Sequence, residues 1–144
     1  MMAVGRSPTI GRVPLLFANW VDSRTMLTVG VDMIEIDRIE TVIERRGQRF
    51  LERIYTPDEL AYCRGRVPEL AVRFAAKEAV AKALGTGIRG LSWRDMEVVP
   101  DHRGKPTVAL HGRAAKRAHA LGLLEWAISL THARAYAVAM VAAR

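Results

Sequence analysis

The segment from residue 73 to residue 87, RFAAKEAVAKALGTG, places a carboxylate among cations at helical spacing. Glu78 follows apolar positions that should face inward, so its carboxylate should lie on the inward or boundary face of a helix. Lys82 is its i+4 neighbour, and Arg73 and Lys77 form a parallel i, i+4 pair. One carboxylate and three cations are therefore expected on one side of the helix, where they could hold a metal ion and a phosphate. The alternative is an ordinary exposed Glu–Lys pair, which stabilises a helix by only about 0.2–0.5 kcal/mol.

Three further features could contribute chemistry. Asp32 interrupts an apolar run at residues 27–34, and a carboxylate in a buried strand is costly unless it is paired or binds a metal. The Gly-Thr-Gly loop at residues 85–87 would let backbone approach a ligand, although it follows the negative end of a helix and does not match the nucleotide-binding P-loop. His132 falls between two predicted strands. Each has a structural alternative: a strand-end or cap role for Asp32, a helix C-cap for the loop, and a solvated histidine.

Hydrophobic periodicity and capping signals predict the elements that must position these residues. We expect a buried strand at 27–34, a helix that begins at an Asp37–Glu40 capping box and ends at Gly47, and a short helix from Thr56 to about 64. The pattern then predicts a long helix at 68–84, strands at 93–100 and 105–110, and a helix at 112–122. It ends with two strands, at 125–129 and 135–142, which are joined by a turn at 131–134. This order indicates a single α+β domain with a mostly antiparallel sheet packed against the long helix.

Residues 1–25 differ from the rest of the chain. They mix Gly, Pro, Ser and Arg without a clear period, and a second methionine, Met26, stands directly before the first strand pattern. We predict that residues 1–25 are a poorly ordered or non-native extension and that residues 26–144 form the domain. A packed N-terminal arm is the competing interpretation.

Composition and charge restrict the class of protein. The formal net charge of +7 favours anionic partners, and Arg38, Arg45 and Arg49 would share roughly one face if their helix continued that far. A nucleic-acid-binding module is an alternative that rests on charge alone, because no such motif occurs and aromatic residues are only 6%. The single cysteine excludes an internal disulfide and fits a reducing cytoplasm. No apolar run approaches the roughly 18 residues that span a bilayer, so no membrane partner is expected.

Three stretches together resemble the holo-[acyl-carrier-protein] synthase family, the short class of 4′-phosphopantetheinyl transferases. VGVDMIEIDRI at residues 29–39 resembles the family's opening motif, and the segment at 73–87 resembles its second motif almost residue for residue. ISLTH at 128–132 followed by Tyr136 resembles the closing hairpin, and the Gly-Lys-Pro at 104–106 also fits. The resemblance covers residues 27–141 and implies a 4′-phosphopantetheinyl transferase-like fold.

The resemblance also implies a function and residue roles. It implies transfer of 4′-phosphopantetheine from coenzyme A to a serine of an acidic acyl carrier protein in fatty acid biosynthesis, with release of adenosine 3′,5′-bisphosphate. The implied metal is Mg²⁺, held by Asp32 and Glu78, with Glu78 and Lys82 as catalytic residues and a homotrimer with active sites between subunits. The implied coenzyme contacts are Arg73, Lys77, Lys82, Gly85, Thr86, Gly87, Ser129, Thr131 and His132. The implied carrier-protein docking residues are Arg38 and Arg45.

Overall fold

A computed structural model describes residues 26–144, so the predicted extension at 1–25 lies outside the described residues. Within that part of the chain, the main elements are five strands and five α-helices. They are β1 (Thr28–Glu35), α1 (Ile36–Arg46), α2 (Gln48–Ile54), α3 (Pro57–Cys63), α4 (Val67–Ala83), β2 (Met96–Pro100), β3 (Pro106–Leu110), α5 (Gly112–Ala120), β4 (Trp126–His132) and β5 (Tyr136–Ala143).

The strands form two antiparallel sheets instead of one continuous sheet. The first has the order β1-β5-β4, and the second is the β2-β3 hairpin. Helix α4 packs on one face of the three-stranded sheet and also contacts β2, so it lies at the centre of the fold. The predicted α+β class with antiparallel pairing around a long helix is therefore confirmed. None of the helices described in this part of the chain is long and apolar enough to cross a bilayer.

Strand β1 crosses α4 at very short range because residue 30 is a glycine. A Cβ atom built on Gly30 would lie 1.9 Å from the carbonyl oxygen of Ala79, so a side chain cannot be accommodated without moving the helix or the strand. A hydrogen bond one turn further along α4 also stabilises the crossing, since Thr28 Oγ1 donates to the Ala83 carbonyl oxygen at 2.9 Å. This contact fixes how the residues that follow Gly30 in β1 meet the last two turns of α4.

Helix starts show where local signals were sufficient. The helix start predicted at Thr56 is confirmed, and it forms a capping box, since Thr56 Oγ1 accepts from the Glu59 amide at 3.2 Å and the Glu59 carboxylate accepts from the Thr56 amide at 2.9 Å. The capping box predicted at Asp37 is wrong: α1 begins at Ile36, and its N-cap makes no side-chain hydrogen bond. Gly47 ends α1 as predicted, but α2 begins at the next residue and was not predicted.

Two strands also differ from their predictions. Only one face of β1 is buried, because Val29, Val31 and Met33 are 57–65% exposed, whereas a buried strand was expected. An apolar run does not show whether each face of its strand is covered. Strand β4 continues through His132, and the predicted turn at 131–134 begins only after that residue.

Candidate active site

Asp32, Glu78 and Lys82 lie together where β1 crosses α4. The Lys82 ammonium donates to Asp32 Oδ1 at 2.9 Å and to the Val31 carbonyl oxygen at 2.8 Å. Asp32 lies on the inward face of β1, because its register partner is the fully buried Ala139 of β5. Asp32 and Glu78 line one cavity of about 410 Å³. The strand and the helix therefore bring the two predicted metal ligands to the same cavity, which we call the carboxylate cavity.

The two carboxylates of this cavity repel each other. Burial raises the pKa of Glu78, the negative charge of Asp32 raises it further, and the Lys82 ammonium opposes both effects. A divalent cation between the carboxylates would relieve the repulsion, and Mg²⁺ suits such a site because it takes one or two carboxylates and keeps several waters. Residues 26–144 contain no group of three or more His, Cys, Asp or Glu that could hold a metal ion. A metal here would complete its coordination with water and substrate oxygens.

Lys77 points away from the carboxylate cavity and is fully buried. Its ammonium donates to Glu59 Oε2 at 2.8 Å, to the Met96 carbonyl oxygen at 2.7 Å and to the Trp93 carbonyl oxygen at 3.2 Å. Burial lowers the pKa of Lys77, and the neighbouring Glu59 carboxylate works against that change. The prediction that three cations lie on one side of α4 with Glu78 is therefore wrong for Lys77, because α3 and β2 cover its side of the helix, and for Arg73, which lines a different cavity from Glu78. All three donors of Lys77 are used within the protein.

Arg73 lies at a second cavity of about 210 Å³, which shares no lining residue with the carboxylate cavity and which we call the arginine cavity. The guanidinium is 2.9 Å from Glu69 Oε2 and 4.4 Å from the centre of the Tyr62 ring, and only 3% of the side chain is exposed. His132 Nε2 is 3.7 Å from Glu69 Oε1, and Thr131 also lines the cavity. Sequence reasoning missed Glu69, although its i, i+4 spacing to Arg73 was a usable signal.

The Gly-Thr-Gly loop forms a helix C-terminus, as its structural alternative predicted. Gly85 and Gly87 have φ angles of 78° and 58°, where a side chain would be strained, and the Thr86 hydroxyl donates to the Gly87 carbonyl oxygen at 2.8 Å. Arg117 of α5 donates through Nε to the Leu84 carbonyl oxygen at 3.2 Å. This guanidinium places positive charge at the negative end of the α4 dipole, which the sequence reasoning did not identify.

The last hairpin separates residues that were predicted to act together. Ser129 pairs with the exposed Met140 on the outer face of the sheet, whereas His132 pairs with the buried Ala137 on the inner face. Side chains alternate between the faces of a strand, so the two polar residues point in opposite directions. The last three residues of β4, Leu130, Thr131 and His132, line the arginine cavity, and Ser129 does not.

The predicted docking arginines also occupy two places. Arg38 lines the carboxylate cavity, whereas Arg45 lines a neighbouring groove of about 780 Å³, which we call the basic groove. Because α1 ends at Arg46, the predicted continuous face spans two helices instead of one. The remaining side chains of the basic groove are three more arginines and a mainly aromatic and aliphatic floor: Arg46, Arg49, Arg53, Val42, Phe50, Ile54, Phe74 and Trp93.

Comparison with known proteins places this geometry in a family. Residues 28–141 match the model of the 4′-phosphopantetheinyl transferase superfamily. The holo-[acyl-carrier-protein] synthase of Herpetosiphon aurantiacus is 48% identical over 123 residues, which cover 81% of this chain and 97% of that protein. The corresponding protein of Gloeobacter violaceus is 50% identical over 117 residues, covering 78% of this chain and 89% of that protein.

Solved structures agree with this assignment. The Helicobacter pylori holo-[acyl-carrier-protein] synthase in complex with coenzyme A superposes with a TM-score of 0.74 at 30% identity, covering 81% of this chain and 99% of that chain. The Neisseria meningitidis enzyme gives the same TM-score at 38% identity, covering 81% and 97%. The predicted resemblance is confirmed, and the chain belongs to the holo-[acyl-carrier-protein] synthase family within the 4′-phosphopantetheinyl transferase superfamily.

Proposed function

We propose that this protein transfers 4′-phosphopantetheine from coenzyme A to a serine of an apo acyl carrier protein, releasing adenosine 3′,5′-bisphosphate, as a step of fatty acid biosynthesis. The observation that carries the proposal is the convergence of Asp32 and Glu78 at one cavity, with Lys82 hydrogen-bonded to Asp32, in a chain of this family. The serine hydroxyl must attack a diphosphate that already bears negative charge. A site that combines two carboxylates for a metal with a cation for the phosphate meets that requirement.

Asp32 and Glu78 would hold Mg²⁺ in this site. When bound, the metal would neutralise charge on the diphosphate and on the leaving group. The Lys82 ammonium, about half exposed and 2.9 Å from Asp32, would supply further positive charge to the phosphate. With a metal ion held by Asp32 and Glu78, Lys82 would no longer be needed to neutralise Asp32 and its ammonium would be available to the phosphate. Glu78 and Lys82 would be the side chains that accept or donate a proton during the transfer.

Coenzyme A would be held by Lys82 and by contacts on α4 and on the last hairpin. Arg73 and His132 supply cationic or donor groups at the arginine cavity, and Thr131 lines its wall. The loop at Gly85, Thr86 and Gly87 offers backbone that a ligand can approach closely, and Ser129 lies on the outer face of the same hairpin as His132. Lys77 is a poorer candidate for a coenzyme contact, because its three donors already bind Glu59 and two backbone carbonyl groups.

The basic groove would receive the acyl carrier protein. Four arginines, Arg45, Arg46, Arg49 and Arg53, rim an aromatic floor, which suits an acidic partner that also presents apolar side chains. The groove adjoins the carboxylate cavity, which Arg38 lines, because both spaces share Val42, Phe50 and Phe74 as lining residues. A carrier protein bound in the groove would therefore sit beside the carboxylates. Its association rate should fall with added salt.

A homotrimer would complete the site. The outer face of the three-stranded sheet exposes Val29, Val31, Met33, Tyr136 and Met140, each 45–65% accessible, and such a contiguous apolar face marks an interaction surface. The carboxylate and arginine cavities share no lining residue within one chain, so a complete site would combine the carboxylates of one copy with the arginine cavity of the next. Light scattering should give a mass three times that of the chain, and Met140→Asp should reduce it.

The domain that carries this activity is residues 26–144, with residues 1–25 as an extension. A cytoplasmic location remains a prediction from the single cysteine, which is buried.

Intact-protein mass spectrometry tests the proposed function. The protein is incubated with coenzyme A, Mg²⁺ and an apo acyl carrier protein, and the carrier should gain the mass of one phosphopantetheine group. A carrier whose acceptor serine is replaced by alanine serves as the control and should gain nothing. Absence of any mass gain with Mg²⁺ or Mn²⁺ would refute the proposal.

A further inference from the structure

Glu69 stands between two groups that the proposed function assigns to the coenzyme. One of its oxygens is 2.9 Å from the Arg73 guanidinium, and the other is 3.7 Å from His132 Nε2. A carboxylate that bridges two nitrogen donors in this way occupies the position that a phosphate oxygen of a ligand would need. The proposed function does not use this residue.

The two partners of Glu69 differ in how easily they can move. Arg73 is 3% exposed, packs over the Tyr62 ring at 4.4 Å and also donates to the Glu69 carbonyl oxygen at 3.3 Å, so its position is fixed from several sides. The Glu69 side chain is 26% exposed and lies in the first turn of α4, where it can rotate towards solvent. A ligand that enters this cavity would therefore displace the Glu69 side chain and leave Arg73 in place.

Glu69 also leaves the guanidinium incompletely bonded. Arg73 Nε is buried and has no hydrogen-bond partner among residues 26–144. A buried donor without a partner is costly, so a ligand that brings more than one acceptor to Arg73 gains from bonds that a single Glu69 oxygen does not provide.

We propose that Glu69 is an internal counter-ion that competes with the anionic groups of coenzyme A at the arginine cavity and thereby sets the affinity of the protein for that substrate. The inference rests on the proposed function and adds an affinity-determining residue to it. Glu69 weakens binding of the coenzyme and of the released bisphosphate alike, because both must displace the same carboxylate. The protein gains faster release of the nucleotide product from a site where Arg73 would otherwise hold it more tightly.

Isothermal titration of the full chain with adenosine 3′,5′-bisphosphate tests this role, in the presence of EDTA so that no metal contributes. Glu69→Gln and Glu69→Ala both remove the competing charge, and each should lower the Kd by roughly three- to tenfold, the range for a partly exposed carboxylate within about 4 Å of its partners. The KM for coenzyme A should fall by a similar factor, while kcat should stay the same or fall.

Glu125→Gln is the matched control. It removes one negative charge and breaks the ion pair between Glu125 and Arg144, whose charged atoms are 2.6 Å apart. Neither residue lines the carboxylate cavity or the arginine cavity. Its Kd should remain within about twofold of wild type, since exposed charges at a distance are screened. The Glu69 variants should also show a steeper fall in affinity with added salt, because the site then carries one more net positive charge.

A purely structural Glu69 would behave differently. If the residue only stabilised α4, its replacement would lower the Tm and would leave the Kd unchanged or raise it. An unchanged Kd or a raised Kd would overturn the inference. Equal tightening in Glu125→Gln would overturn it as well. A wild-type protein that modifies the carrier while Glu69→Gln binds no more tightly would refute the counter-ion role alone. A wild type that neither binds the bisphosphate nor modifies the carrier would refute the proposed function too.

Discussion

The buried pair of Lys77 and Glu59 should be one of the costliest places in the protein to leave a single charge. Neither side chain is exposed to solvent, and their charged atoms are 2.8 Å apart. Glu59 also accepts from the Val98 amide at 2.8 Å and from the Thr56 amide at 2.9 Å, so the pair joins α3, α4 and β2. Replacement of one partner leaves the other charge buried without compensation.

We predict that Lys77→Met lowers the free energy of unfolding by about 3–5 kcal/mol, the cost of leaving a buried charge unpaired. Methionine retains the length of the side chain, so loss of packing is a minor contribution. At roughly 4 °C per kcal/mol for a domain of this size, the Tm should fall by more than about 10 °C. Glu59→Gln should cost a similar amount, since it leaves the Lys77 ammonium without its counter-charge.

The double variant Lys77→Met/Glu59→Gln separates charge from packing. It leaves no buried charge, and its main defect is that the amide group introduced at position 59 has one acceptor oxygen and cannot serve both the Val98 and Thr56 amides. One unsatisfied donor costs about 1–3 kcal/mol, so the double variant should be no less stable than either single variant.

Equilibrium urea unfolding of the three variants and wild type at neutral pH gives the comparison. Glu125→Gln, which breaks an exposed pair, should change stability by less than about 1 kcal/mol and serves as the reference. A loss below about 1 kcal/mol for Lys77→Met, or a double variant whose loss equals the sum of the two single losses, would contradict the reasoning.

Three other predictions concern the crossing of β1 and α4 and the buried thiol. Gly30→Ala should destabilise the protein by about 1–3 kcal/mol or more in a urea titration, because its Cβ would meet the Ala79 carbonyl oxygen; a stability equal to wild type would show that the crossing is looser. Burial raises the pKa of Cys63 to about 11, so iodoacetamide should label it at about pH 8 only after denaturant is added, and rapid labelling of the native protein would be the contrary result. Without metal, the pKa of Glu78 is higher in the folded state than in the unfolded state, so the folded state keeps this proton to a higher pH. The contribution of Glu78 to stability therefore declines as the pH rises from the ordinary carboxyl pKa through the raised pKa. Glu78→Gln should therefore be more stable than wild type in EDTA at neutral pH and equal to it at acidic pH, and a less stable variant at neutral pH would be incompatible with repulsion from Asp32.

Much of the fold could be predicted because its signals are local. The start of α3 depends on Thr56 and Glu59, three residues apart, and the end of α4 depends on Gly85, so neither needs information from elsewhere in the chain. The crossing of β1 and α4 is different. Gly30 looked like an ordinary residue of an apolar run, and only the packed structure shows that the helix backbone takes the place of its side chain.

The candidate site could be predicted only in part, because helical spacing reports neighbours on one helix and not what covers each side. It correctly placed Glu78 and Lys82 near one another, whereas the pairing of Asp32 with Glu78 came from the family resemblance. It could not show that Lys77 faces Glu59, since that partner lies eighteen residues earlier on another helix. The prediction that both faces of β1 are buried failed for a related reason. An apolar pattern is the same whether the strand's own domain or a second copy of the chain covers it.

The central claim is that Asp32 and Glu78 together support phosphopantetheine transfer. The initial rate of carrier modification should be measured with saturating coenzyme A and Mg²⁺ for wild type, Asp32→Asn, Glu78→Gln and the control Glu125→Gln. Both carboxylate variants should lose roughly a hundredfold or more in rate while remaining folded, because the diphosphate charge would lack its metal, and the control should match wild type. Rates within about threefold of wild type in both Asp32→Asn and Glu78→Gln would contradict the account.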